Sequence, residues 1–98
     1  MKKNNGWNYR IVAEIDPTGE YFYSIRDVYY KNDKPTSWGA EPQYAVGENP
    51  GEVSSDINLM SKAIYLPLLV VKGDKLIEGT KKSAMTDKAE RIVPLTTL

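Results

Sequence analysis

The stretch from Trp7 to Trp38, WNYRIVAEIDPTGEYFYSIRDVYYKNDKPTSW, constrains the fold most, because its side chains alternate. Trp7, Tyr9, Ile11, Ala13 and Ile15 fall on one side of an extended chain, and Asn8, Arg10, Val12 and Glu14 on the other. That is the two-residue period of a β-strand. Asp16-Pro17-Thr18-Gly19 interrupts it. Proline suits the second position of a type I turn, and glycine takes the left-handed conformation that closes a three-residue hairpin. Such a loop pairs Asp16 with Glu20. It thereby sets Ile15 opposite Tyr21, Ala13 opposite Tyr23, Ile11 opposite Ile25, Tyr9 opposite Asp27 and Trp7 opposite Tyr29. Pattern and turn select the same register.

The next turn is Lys31-Asn32-Asp33-Lys34, whose central pair tolerates positive φ. A regular ladder from it predicts Tyr29 opposite Thr36, Asp27 opposite Trp38 and Ile25 opposite Ala40. This places Trp38 on the apolar, odd-numbered face; a one-residue slip would move it to the other. Pro42 limits the third strand, since it cannot donate to a ladder.

Asn49-Pro50-Gly51-Glu52 opens a helix, with Asn49 as cap, proline at the first helical position and Glu52 completing a capping box. Val53, Ile57, Met60 and Ile64 recur at helical spacing, widened by Leu59 and Ala63. Ser54, Ser55, Asn58, Ser61 and Lys62 make the wet side, and Pro67 ends the helix near Tyr65. Leu68 to Val71 reads as a fourth strand covered on both faces. Gly73-Asp74 turns the chain into a brief fifth strand at Leu76-Ile77. The polar segment after Gly79 reads as a tail, with a weak helix over Ala84 to Arg91. The expected organisation is a disordered start at 1–6, one α+β domain at 7–78 and a tail at 79–98. If the fourth strand lies parallel to the first, a right-handed crossover gives β-β-β-α-β with sheet order 3-2-1-4. The helix then covers the odd-numbered face, and the even-numbered face stays open.

Composition narrows the function classes. Thirteen basic and thirteen acidic residues cancel in a chain of 98, which argues against a strongly electrostatic partner such as bulk DNA or an anionic membrane. Absence of cysteine rules out a disulfide and fits a cytoplasmic protein. Absence of histidine removes the usual base near neutral pH and the commonest metal ligand. The N-terminus has no apolar run of a signal peptide, and Leu66 to Val71 is too short to span a bilayer.

Trp7-Asn8-Tyr9-Arg10, Asp27-Val28-Tyr29-Tyr30, then Pro35, Trp38, Pro42, Glu48, Asp56, Met60, Ala63 and Pro67 resemble a family of short bacterial proteins. Its members open with W-N-Y-R, carry an acidic-V-Y-Y strand and close with a D-x-x-x-M-x-x-A helix before proline. The resemblance covers residues 7 to about 69 and implies a fold but no mechanism. Asp27 stands where the family has a longer glutamate. The strand and helix order is also similar to that of HicB-type antitoxins and of the ribonuclease H core, a likeness of architecture alone.

Two-metal nucleases of that architecture need converging carboxylates. Here Glu14, Asp56 and Asp74 fall on different faces and in a turn, so no metal site and no catalytic residue is expected. Gly47-x-x-x-Gly51 lacks the Lys-Ser/Thr of a phosphate loop, as Gly79-Thr80-Lys81-Lys82-Ser83 lacks its first glycine. No cofactor is expected, and no serine has a histidine to activate it. Two binding surfaces remain. Trp7, Tyr9, Asp27, Tyr29 and Trp38 form a candidate aromatic pocket on the odd-numbered face, with Asp27 either satisfied by a tyrosine, an indole or Lys62, or orienting a ligand. Arg10, Phe22, Arg26, Val28 and Tyr30 form the candidate partner-binding face on the other side; the competing reading is that Glu14 and Glu41 neutralise the two arginines and the face is simply solvated. The expected function is a small non-catalytic protein-binding module, such as a phage- or plasmid-borne inhibitor that occupies a partner's surface. A HicB-like antitoxin half is one alternative, with a possible homodimer. A single-stranded RNA binder using arginine and aromatic rings is another, with nucleic acid less favoured than protein and no membrane partner.

Overall fold

The first hairpin forms in the register its turn dictates. In this computed structural model, which describes residues 5–83, β1 (Trp7–Ile15) pairs antiparallel with β2 (Tyr21–Lys31) from Trp7 opposite Tyr29 to Ile15 opposite Tyr21. Gly19 takes φ +88° and its N–H donates to the Asp16 carbonyl at 2.9 Å. The Asp16 carboxylate accepts from Thr18 N at 2.9 Å and Glu20 N at 3.1 Å. The Thr18 hydroxyl also donates to it. These donors, led by the Thr18 side chain and then Glu20, hold the Asp16 carboxyl below its ordinary pKa.

The second hairpin begins as the sequence predicts and then departs from it. Asn32 and Asp33 have φ of +52° and +69°, so Lys31 faces Lys34 and Tyr30 faces Pro35. A bulge follows in β3 (Lys34–Trp38). Tyr29 pairs with Ser37 instead of Thr36, and Val28 pairs with Trp38. The expected pairing of Asp27 with Trp38 is therefore corrected by one residue, and Trp38 lies on the even-numbered face.

Asn49 caps α1 (Pro50–Ser61), its side-chain oxygen accepting from Glu52 N at 3.0 Å. Glu52 reaches back to accept from Glu48 N at 2.8 Å, one residue before the expected capping-box partner. The helix tightens into a 3₁₀ turn, η1 (Lys62–Tyr65), before Pro67. Then β4 (Pro67–Lys72) runs parallel to β1, with Val12 beside Leu69 and Ala13 beside Val70. Finally β5 (Lys75–Ser83) returns antiparallel along β4. The expected brief strand at Leu76-Ile77 is thus a full sheet member that continues past Gly79. The expected helix over Ala84 to Arg91 and the rest of the tail lie outside the described residues. At the other end, the Gly6 carbonyl accepts from Tyr30 N at 2.9 Å, and the Asn5 side chain accepts from Asn32 N at 2.8 Å.

The architecture is α+β with one mixed sheet in the order β3-β2-β1-β4-β5, one strand more than the expected 3-2-1-4. Its two outer strands, β3 and β5, touch each other. The sheet therefore rolls about its even-numbered face. Inside the roll lie Val12, Val28, Leu69 and Leu76, with Tyr30, Trp38 and Val71 packed against them. The helix lies outside the roll on the odd-numbered face, burying Met60, with Ala63 of η1 buried and Ala13 below at 1% exposure. Helix placement thus follows the sequence expectation, while the even-numbered face is closed instead of open.

Candidate binding surface

Arg10 and Arg26 are cross-strand neighbours, as the register predicts, but they are sealed inside the roll at 6% and 3% exposure. The Arg26 guanidinium donates through Nε to Ser24 Oγ at 2.9 Å and through Nη1 to the Gly39 carbonyl at 2.9 Å; Nη2 pairs with the Glu14 carboxylate. Arg10 donates through Nη1 to the Tyr30 hydroxyl and through Nη2 to the Pro67 carbonyl, both at 2.6 Å, and its Nε is buried without a partner. Arg10 thereby ties β1 to β2 and β4, and Arg26 ties β2 to β1 and to the chain after β3. Val28 is fully buried and Tyr30 half-buried, so of the expected partner-binding set only Phe22 stands well exposed. The expected open arginine face is thereby corrected. Glu14 supplies the one counter-charge, and Glu41 forms no ion pair among the described residues.

The odd-numbered face shows the reverse. α1 crosses its middle and leaves both ends uncovered. Tyr9 donates its hydroxyl to Asp56 Oδ1 at 3.0 Å, while Asp56 Oδ2 accepts from Val46 N at 3.1 Å. One carboxylate on the helix thus pins the first strand and the 39–49 connection together. Burial first, and then the Asp56 hydrogen bond, raises the Tyr9 pKa above its ordinary value. Asp56 thus faces the sheet.

At the hairpin-turn end, Ile15, Tyr21 and Tyr23 are 55%, 51% and 55% exposed. Ile15 sits directly opposite Tyr21, and the Tyr21 and Tyr23 rings lie 6.2 Å apart. The strands hold this apolar patch in a fixed register.

At the other end, Trp7 meets Tyr9 edge-on at 5.1 Å and Tyr29 at 6.5 Å. Asp27 accepts from the Tyr29 hydroxyl at 2.7 Å, the hydrogen bond that chiefly raises the Tyr29 pKa. Its other oxygen is buried without a partner and lies over Gly39, where a Cβ would collide with it. Of the expected pocket residues, Trp7, Tyr9, Tyr29 and Asp27 do gather, and Trp38 does not. The cavity itself sits beside them. It has a volume of about 350 Å³ and is lined by Trp7, Asn8, Tyr9, Leu59, Lys62 and Leu66. Sequence reasoning took Leu59 for core and Lys62 for the solvated side. Their common signal was the spacing 59, 62, 66, a second stripe displaced by one residue from the buried Met60 and Ala63.

The three carboxylates weighed for a two-metal site lie apart. Glu14 is paired with Arg26, Asp56 with Tyr9, and Asp74 lies in the β4–β5 turn. Among the described residues no three histidine, cysteine, aspartate or glutamate side chains cluster so as to hold a metal, and no helix is long and apolar enough to cross a membrane. No family model, curated protein or solved structure matches the chain.

Proposed function

We propose that the protein is a non-catalytic protein-binding module whose interface is the turn end of the helix-bearing face. One observation carries this reading: Ile15, Tyr21 and Tyr23 are each about half exposed and adjacent in a register fixed by the ladder. Tyrosine is enriched at interfaces because it offers a large apolar area and a polar tip at low entropic cost. A preordered strand pair also spares a partner the cost of ordering a loop. The interface therefore moves from Arg10, Phe22, Arg26, Val28 and Tyr30 to the opposite face. An inhibitor that acts by covering a partner's surface is the specific form favoured. The RNA-binding reading loses its support, because the two arginines it needed are buried. The HicB-like antitoxin reading is second, favoured by the parallel pairing of β1 with β4 across the helix.

Quantitative affinity purification from native lysate tests the proposal. A stoichiometric protein partner retained by the wild type should be lost with Tyr21→Ser/Tyr23→Ser and kept with Lys31→Ser, which alters the far end of β2. Equal retention by both variants would refute this interface. A stable dimer with a small basic partner would favour the antitoxin reading.

A further inference from the structure

The cavity beside Trp7 holds a combination of groups that the fold itself leaves unused. Its walls are the Trp7 indole, the Tyr9 ring, Leu59 and Leu66. The Tyr9 hydroxyl is committed to Asp56, which locks that wall and leaves its ring face to the cavity side. Of the lining side chains only Lys62 is charged, and it forms no ion pair among the described residues. The Asn8 side chain lies on the other face of β1, with that of its cross-strand partner Val28.

We propose that this cavity binds an amphipathic organic monoanion, a carboxylate on an apolar chain or single ring system. The carboxylate sits on Lys62, and the apolar body lies on Trp7, Tyr9, Leu59 and Leu66. Charge fixes the sign of the ligand, since a cation would meet Lys62 with no counter-charge lining the cavity. Volume fixes its scale, because about 350 Å³ lies at the lower end of small-molecule sites, which run from about 300 to 1,000 Å³. The stripe Leu59, Lys62, Leu66 explains why α1 leaves a leucine half-exposed beside a half-exposed tryptophan. Each would be covered by the ligand.

The test uses decanoate and decan-1-ol as matched probes, titrated below self-association into the ¹⁵N-labelled full chain. Saturable shifts should centre on the Trp7 indole N–H, Asn8 and Lys62. Decanoate should bind about tenfold or more tightly than the alcohol, the scale of one charge-assisted hydrogen bond. Lys62→Met should remove that preference, and Leu59→Trp, which fills the cavity, should abolish binding of both probes. Melting curves of the two exposed-site variants confirm that they fold. Equal affinity for acid and alcohol, binding indifferent to Leu59→Trp, shifts centred on Tyr21 and Tyr23, or no saturable shift would each overturn the assignment. So would a dimer that Leu59→Trp dissolves and decanoate leaves intact, which would place a second copy of the chain in the cavity.

Discussion

At the scale of single residues, the arginines decide how the molecule must be read. A guanidinium at 3% exposure that satisfies Ser24, Gly39 and Glu14 at once is a crosslink between β1, β2 and the chain after β3. Breaking a buried ion pair by removing one partner costs about 3–5 kcal/mol. The Glu14 side chain keeps 31% of its exposure, so solvent relieves part of that penalty on its side. Glu14→Gln should therefore cost less than Arg26→Met, which orphans a carboxylate and a carbonyl together. Arg26→Glu places a second carboxylate beside Glu14 inside the roll. Against a total stability of about 5–15 kcal/mol, that change should leave little folded protein. Circular dichroism during denaturant unfolding would check the ranking. If Arg26→Glu melted like the wild type, the guanidinium would face solvent and the rolled sheet would be wrong. The sequence alone supports the opposite expectation, because an arginine on the less apolar face of a meander ordinarily points to water.

At the scale of elements, legibility depended on how many signals agreed. The β1–β2 register was readable because alternation over nine residues and a turn of defined geometry specify the same pairing. The helix start was readable from Asn49, Pro50 and Glu52, which act within one turn of each other. The β3 register was not, because one bulge residue inverts every later side chain and leaves almost no trace in composition. Pro35 opposite Tyr30 and the Thr36 hydroxyl donating to the Tyr29 carbonyl at 3.3 Å mark where the ladder departs from regularity. Trp38 supplies the driving force, since only the shifted register lets the indole pack against the cluster of Val12, Val28, Leu69 and Leu76. A deletion separates the two registers. Removing Thr36 takes out the extra residue and restores a regular ladder with Trp38 still opposite Val28, so it should cost no more than about 1 kcal/mol. In an unbulged strand the same deletion would swing Trp38 out of its face and cost about as much as truncating a buried aromatic, about 3–5 kcal/mol. The unfolding midpoint of the deletion variant distinguishes these outcomes.

At the scale of the whole molecule, contact between β3 and β5 converts a flat meander into a roll with an inside. Sequence periodicity is local and reports which side chains share a face; it does not report which face a distant strand will close over. The sequence predicts only a brief fifth strand, because Leu76 and Ile77 are a lone bulky apolar pair in a polar stretch. That pair now gives the sharpest test of the roll, since adjacent residues on a strand point to opposite faces. Leu76 is paired beside Val71 and 8% exposed within the core cluster, whereas Ile77 is paired beside Val70 and 48% exposed outside it. Leu76→Ala should cost about 2–4 kcal/mol as a cavity in a packed interior, and Ile77→Ala less than about 1 kcal/mol. Thermal unfolding of the two single variants reads the difference directly. Equal, small losses would mean that β5 is an accessory edge and that Val12 and Val28 owe their burial to something else. Reversed losses would put the core under the helix. Only a large loss at Leu76 beside a small one at Ile77 fits a sheet closed on its even-numbered face, with Ile15, Tyr21 and Tyr23 left exposed on the other.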